Sequence, residues 1–315
     1  MSRTKSKPKV SVLKTVFEGL KIYLCNLDIF VKYLSFPVLG TFIGMFILFW
    51  INYCYVVNLE KLQASNPIFN NAAVILTLVI ILTIPGFLIM IKAFVDYIVA
   101  FGALNSMCVN DQRIADVHTH NEIIKRRFAP YCVLLIVLSI IFGALSFPIL
   151  IPLLILALVF LALAVQVFTL EEDSSPFDAI TKSLSLVKSN FWAVFWVLVI
   201  ITLISYVAVP YLVTWAVSKT PMLTIMANPV EKYISLLPIN DFNSLMTELG
   251  VPYKFDVIIF SEMIVQSVIS TIVIMYMLPF RCACCVSLYK NLSEFHYPID
   301  TENVKSKPKR KKKEA

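Results

Sequence analysis

From Tyr131 to Leu170 the chain runs for about 40 residues without a charged side chain. A helix needs only about 20 apolar residues to cross a hydrocarbon core of about 30 Å. The run is therefore too long for one span. Pro148 and Pro152 fall near its middle, and proline lacks the N–H and clashes with the preceding turn. The run reads as two spans joined by a very short turn. Four more apolar stretches follow the same rule: Phe36 to Val57, Asn71 to Ile91, Phe191 to Val217 and Asp256 to Leu278. The expected fold is all-α, with six membrane spans. Composition agrees: 59% of residues are hydrophobic and 15% charged, where a soluble domain has about 45–50% and about 25%.

Lysine and arginine set the orientation of such a chain. With six spans, Lys61, Lys219, Lys232 and Lys254 face one side, and the other 23 of the 27 basic residues face the opposite side. Both termini are thus expected in the cytoplasm, and the membrane is expected to be a bacterial inner membrane. The two tails, residues 1–14 and 305–315, hold more positive charge than the whole chain's net +7. The body at 15–304 is mildly acidic by difference.

Three segments that precede odd-numbered spans have an apolar stripe at helical spacing, as interfacial helices do. They are Ser11 to Leu24, the short basic Asn121 to Arg127, and Pro176 to Lys188. The third starts with Ser174 or Ser175 as N-cap, then Pro176 and Asp178 in the first turn. Leu20, Asn26 and Phe30 align without gaps on Leu184, Asn190 and Val194. The expected unit is an interfacial helix followed by a helical hairpin, used three times. The external segment, 218–254, suggests one or two short helices.

The stretch Ser175-Pro176-Phe177-Asp178-Ala179-Ile180, then Ser183 to Trp192, resembles the membrane domain of some bacterial glycerophosphodiester phosphodiesterases and related stand-alone six-span proteins. Leu278-Pro279 and Cys285 to Lys290 are similar to the end of that domain. The resemblance covers most of Val12 to Leu292 and implies the six-span fold. It implies no catalytic residue, because there is no room for the barrel that carries catalysis. A sulfate-permease-like family has a similar basic start and proline-rich spans.

Ionisable groups inside a bilayer are costly and mark function by default. Glu262, Gln266 and Gln166 are candidates for one intramembrane polar site. Lys92 and Asp96 are four apart and pair at the interface if the second span continues past Pro85. His118 and His120, with Asp111 and Asp116, read as a polar loop. Cys282, Cys284 and Cys285 read as packing residues or, in a eukaryote, acylation sites. Gly40 and Gly44 form a G-x-x-x-G that suits a close helix contact.

The basic tails suit anionic lipid headgroups through Lys5, Lys7, Lys9, Lys305, Lys307, Lys309, Arg310, Lys311, Lys312 and Lys313. They lack the aromatic residues that nucleic-acid binding would use. No phosphate loop, hydrolase elbow or zinc motif is present. The expectation is a non-enzymatic envelope scaffold or accessory factor, without cofactor or metal. It would contact anionic lipid, and a membrane-protein partner or a second copy is also expected. The alternative is a small-solute or ion transporter or channel with a polar site in the bundle.

Overall fold

The computed structural model describes residues 11–109, 113–114, 116–236, 239–252 and 254–296. The lipid-contact residues expected at Lys5, Lys7, Lys9, Lys305, Lys307, Lys309 and 310–313 lie outside the described residues. The described chain is helical, with no strand. In order it forms α1 (Val12–Cys25), α2 (Leu27–Ser65), α3 (Ala72–Met107), α4 (Val117–Arg126), α5 (Phe128–Leu145), α6 (Ile151–Phe160) and α7 (Ala164–Leu170). Then come α8 (Pro176–Lys188), α9 (Phe191–Thr202), α10 (Val209–Ser218), α11 (Met222–Ile234), α12 (Ile239–Glu248), α13 (Val257–Tyr276) and α14 (Leu278–His296).

Six helical stretches are long and apolar enough to cross a membrane: Leu27–Tyr55, Ala72–Met107, Phe128–Leu145, Pro148–Leu170, Phe191–Ser218 and Val257–Ser293. The protein is an all-α polytopic membrane protein. An even number of spans returns the chain to the face from which it started. There α1 and α14 pack on each other, and that side is here the terminal face.

The interfacial helix and hairpin recur three times: α1 with α2–α3, α4 with α5–α7, and α8 with α9–α13. The junctions are one structure repeated. Asn26, Arg127 and Asn190 have φ/ψ of −120/15°, −109/22° and −132/27°. Each donates its N–H three residues back, to Tyr23, Ile124 and Val187. Each carbonyl accepts from four residues on, from Phe30, Tyr131 and Val194. All three acceptors' partners are buried in the same core. The α8 start is capped as its sequence predicts: Ser175 and Asp178 close a reciprocal capping box. The first tail is shorter than residues 1–14, since α1 already begins at Val12.

The core is one-sided. Phe30 and Leu34 open α2, Leu104 closes α3, Tyr131 and Leu134 open α5, Phe168 closes α7, and Val194 and Val197 open α9; all are 1% exposed or less. Each span contributes the end nearest the terminal face. Across the most apolar window of each span only 11–28% is buried. The physical reason is the solvent. Burial against water is worth about 1.5–3 kcal/mol per large side chain, but lipid tails are as apolar as leucine, so deeper contacts gain only packing.

Where helices do meet in the bilayer, small residues let them. The Gly40–Gly44 face packs on α3: a Cβ at Gly44 would lie 2.7 Å from the Gly86 carbonyl, and one at Gly40 3.0 Å from Ala93 Cβ.

Three elements differ from the sequence expectation. The last span does not end in a basic loop at Leu278. It bends at Met277 into α14, whose Phe280, Ala283, Cys284 and Leu288 are core. The segment 218–254 is not wholly external. Leu223 and Ala227 of α11 pack on Val265 of α13, about two turns inside that span. Finally, the fourth span is interrupted at Leu161–Leu163. Ser183 of α8 repairs the break: its hydroxyl donates to the Phe160 carbonyl at 2.7 Å and accepts from the Leu163 N–H at 3.3 Å. Replacing Ser183 by alanine takes this partner from the buried Leu163 N–H and the part-buried Phe160 carbonyl. Thermal unfolding in detergent should show a loss of about 1–3 kcal/mol, and cysteine, which keeps a weak donor and acceptor, should lose less.

Candidate functional site

A cavity of about 1070 Å³ lies in the cleft between the α5–α6 hairpin and α9, with α3, α13 and α14 at its apex. Its walls are aliphatic and aromatic, with Leu135, Leu138 and Phe142 on one side and Phe195 and Leu198 on the other. Ile155, Leu158 and Leu203 at its rim are 46%, 46% and 53% exposed, so the cleft opens sideways, toward the bilayer.

Polar groups gather at the apex. Arg281, in the first turn of α14, stands 4.7 Å from the ring centroid of Tyr206. Its Nη1 is buried without a hydrogen-bond partner. Among the described residues no carboxylate pairs with it. Tyr97 lines the same apex, and its hydroxyl meets the Arg281 guanidinium by charge and by a side-chain hydrogen bond, which leaves Nη1 as the unpaired nitrogen. Gln166 also lines the cavity; its Nε2 donates to Asn105 Oδ1 at 3.1 Å, while its Oε1 is buried and unpaired.

Local sequence explains how Tyr206 reaches the arginine. Leu203–Ala208 is a π-helical turn. Pro210 follows it and has no N–H to offer the Tyr206 carbonyl, so the ladder widens by one residue.

Of the polar residues expected to form one site, Glu262 and Gln266 lie one turn apart on α13, and Gln166 does not join them. Gln166 sits in the core at 3% exposure and bonds to Asn105. Asn105 is buried inside α3, and its own Nδ2 donates to the Phe101 carbonyl at 2.9 Å. Gln266 lines a different cavity, about 410 Å³, with Thr214, Ser267, Ser270 and Thr271. Glu262 lies within two turns of the start of α13, partly exposed, and lines neither cavity.

Other candidates have structural roles. α3 continues unbroken past Pro85, and Lys92 Nζ reaches Asp96 at 2.6 Å, with the Phe36 ring 5.8 Å away. Asp116 caps α4, accepting from the His118 and Thr119 N–H groups. Asp111 lies outside the described residues. Cys282 and Cys284 are 1% and 0% exposed, closed to acylation; Cys285 borders the cleft. Among the described residues no three His, Cys, Asp or Glu cluster as metal ligands.

His120 Nδ1 is 2.9 Å from the Ser106 hydroxyl and holds α4 to α3. Burial lowers its pKa below the ordinary 6.5, and nearby Asp116 opposes this. As pH falls through 6.5 the unfolded chain binds the proton first, so stability declines until the folded value is passed. Melting temperature should fall on going from about pH 7.5 to about pH 5.5, and His120→Asn should flatten that dependence.

Arg281 is the residue that sequence reasoning missed. Counted as one more positive charge beyond the last span, it set topology and nothing else. Its signal was the apolar sequence on both sides of it, Leu278 to Phe280 before and Cys282 to Val286 after. No family model, curated protein or solved structure matches this chain.

Proposed function

We propose that this protein is a non-enzymatic membrane scaffold or accessory factor, with its terminal face in the cytoplasm of a bacterial cell and its basic tails on anionic lipid. The observation that carries this reading is the use made of buried polar side chains: they join helices. Asn26 accepts from the Ile114 N–H at 2.9 Å and fastens the α3–α4 connection to the first junction. Ser183 bridges the break in the fourth span, and Asn105 with Gln166 ties α3 to α7. The resemblance of Ser175 to Trp192 to the six-span phosphodiesterase-linked domains is in keeping with a passive role. Solute transport is the second reading, and the polar cavity at Gln266 favours it. Against it weighs the separation of Gln266 from Gln166, which lines the other cavity.

The lipid contact is testable on the full chain in vesicles containing fluorescent phosphatidylglycerol. Each charge near the surface is worth about 1 kcal/mol, so energy transfer from labelled protein should exceed that seen with labelled phosphatidylcholine. Glutamine at the ten tail positions should remove the excess. Equal transfer to both lipids from the unaltered protein would sink the reading.

A further inference from the structure

The geometry points to a phospholipid site inside the bilayer: we propose that the cleft between α5–α6 and α9 holds one anionic phospholipid, with its phosphate on Arg281 and its acyl chains along the apolar walls. This site is independent of the tails and of the scaffold reading.

Three observations meet here. The first is the arginine. A charged side chain in a membrane is costly, about 2.5–3.5 kcal/mol even on insertion scales, and persists where it has a partner. Arg281 has the Tyr206 ring on one side, the Tyr97 hydroxyl as a hydrogen-bond partner and an orphaned Nη1. Cation–π contact leaves the in-plane N–H donors free. A phosphate is the anion whose geometry matches a guanidinium fork.

The second is the cavity. At about 1070 Å³ it exceeds the roughly 300–1,000 Å³ that hold a drug-sized ligand. Leu135, Phe142, Phe195 and Leu198 offer it nothing polar. Water is a poor occupant for such walls, while hydrocarbon chains match them.

The third is access. The exposed rim at Leu158 and Leu203 faces the bilayer, so the occupant enters sideways from the lipid phase. The source that supplies both a phosphate and long apolar chains there is the membrane's own phospholipid. The unpaired Gln166 Oε1 adds an acceptor suited to a headgroup hydroxyl.

Native mass spectrometry of the detergent-purified full chain, mixed with phosphatidylglycerol or with diacylglycerol of the same chains, reads this directly. The expected result is one retained phosphatidylglycerol per chain and at least tenfold less diacylglycerol, which lacks the phosphate. Arg281→Gln should lower phosphatidylglycerol retention about tenfold, and Arg281→Lys should recover part of it. Ser139→Trp, which fills the cleft from an exposed position on α5, should displace the lipid with Arg281 intact. Far-ultraviolet circular dichroism should match the unaltered protein in all three. An excess of inorganic phosphate should not compete; full competition would reduce the site to a free-anion site and overturn the lipid assignment. Retention unchanged in Arg281→Gln, or lost only when the tail lysines are neutralised, would also overturn it.

Discussion

Gly19→Ala should be the most damaging single methyl that this fold can receive. An added Cβ would lie 2.4 Å from Cys284 Sγ, and 2.7 Å from the Cys284 Cα and backbone nitrogen. The first contact could be relieved by a rotamer change; the other two are with backbone and cannot be. α1 would have to leave α14, where Tyr23 stacks edge-on against Phe280 at 5.9 Å and Asn291 reaches Thr15 at 3.2 Å. Overpacking a tight contact costs about 1–3 kcal/mol and sometimes more, and here the upper end is expected, because two helices separate together. Cys284→Ala in the same chain removes the sulfur and leaves the backbone, so rescue should be incomplete. Gly143→Ala is the contrasting case. Nothing lies within 4 Å of its added Cβ, and alanine is the better helix former by about 1 kcal/mol, so this variant should melt no lower than the parent. Melting curves of the three variants in one detergent check the whole set.

Arg127→Ala comes next in expected size. Arg127 is the middle junction of the repeat, and it has a second task that Asn26 and Asn190 do not share. Its guanidinium donates to the carbonyls of Phe168 at 2.9 Å, Glu171 at 3.0 Å and Ser174 at 2.5 Å, and lies 4.1 Å from the Phe168 ring centroid. These carbonyls end the fourth span and lead to α8, where helix termini leave acceptors without partners. One side chain thus closes the second hairpin onto the third interfacial helix. Hydrogen bonds from a charged donor are worth about 1.5–3 kcal/mol each. The site is partly exposed and the bonds are not additive, so a total loss of about 2–3 kcal/mol is expected. Arg127→Lys keeps the charge but not the fork, and should recover less than half. A lysine variant as stable as the parent would show that charge alone matters here.

These two positions also show what was legible beforehand. The spans could be read because about 20 uncharged residues have one use in a membrane, and the interfacial helices because charge and apolar residues alternate at 3.6. The 148–152 turn and the Lys92–Asp96 pair followed from proline and from i,i+4 spacing. Hydropathy, however, measures length and not the half of a span that packs. It therefore did not show the one-sided core or the lateral cleft. Nor does it show α14, because Arg281 and Lys290 lower the hydropathy of a segment that packs into the core. Gln166 and Gln266 look alike in sequence and serve different cavities; only the fold separates them. The repeat was visible in two junctions through their asparagines, while the third carries Arg127 and shares only backbone geometry.

The proposed scaffold would hold helices and lipid and move no solute. The direct measurement is flux through vesicles reconstituted with the purified full chain, using potassium, protons and a small anionic dye. The expected result is leakage equal to that of protein-free vesicles for all three. Saturable flux that disappears on Gln266→Leu would contradict the account and move the function to the cavity between α10 and α13.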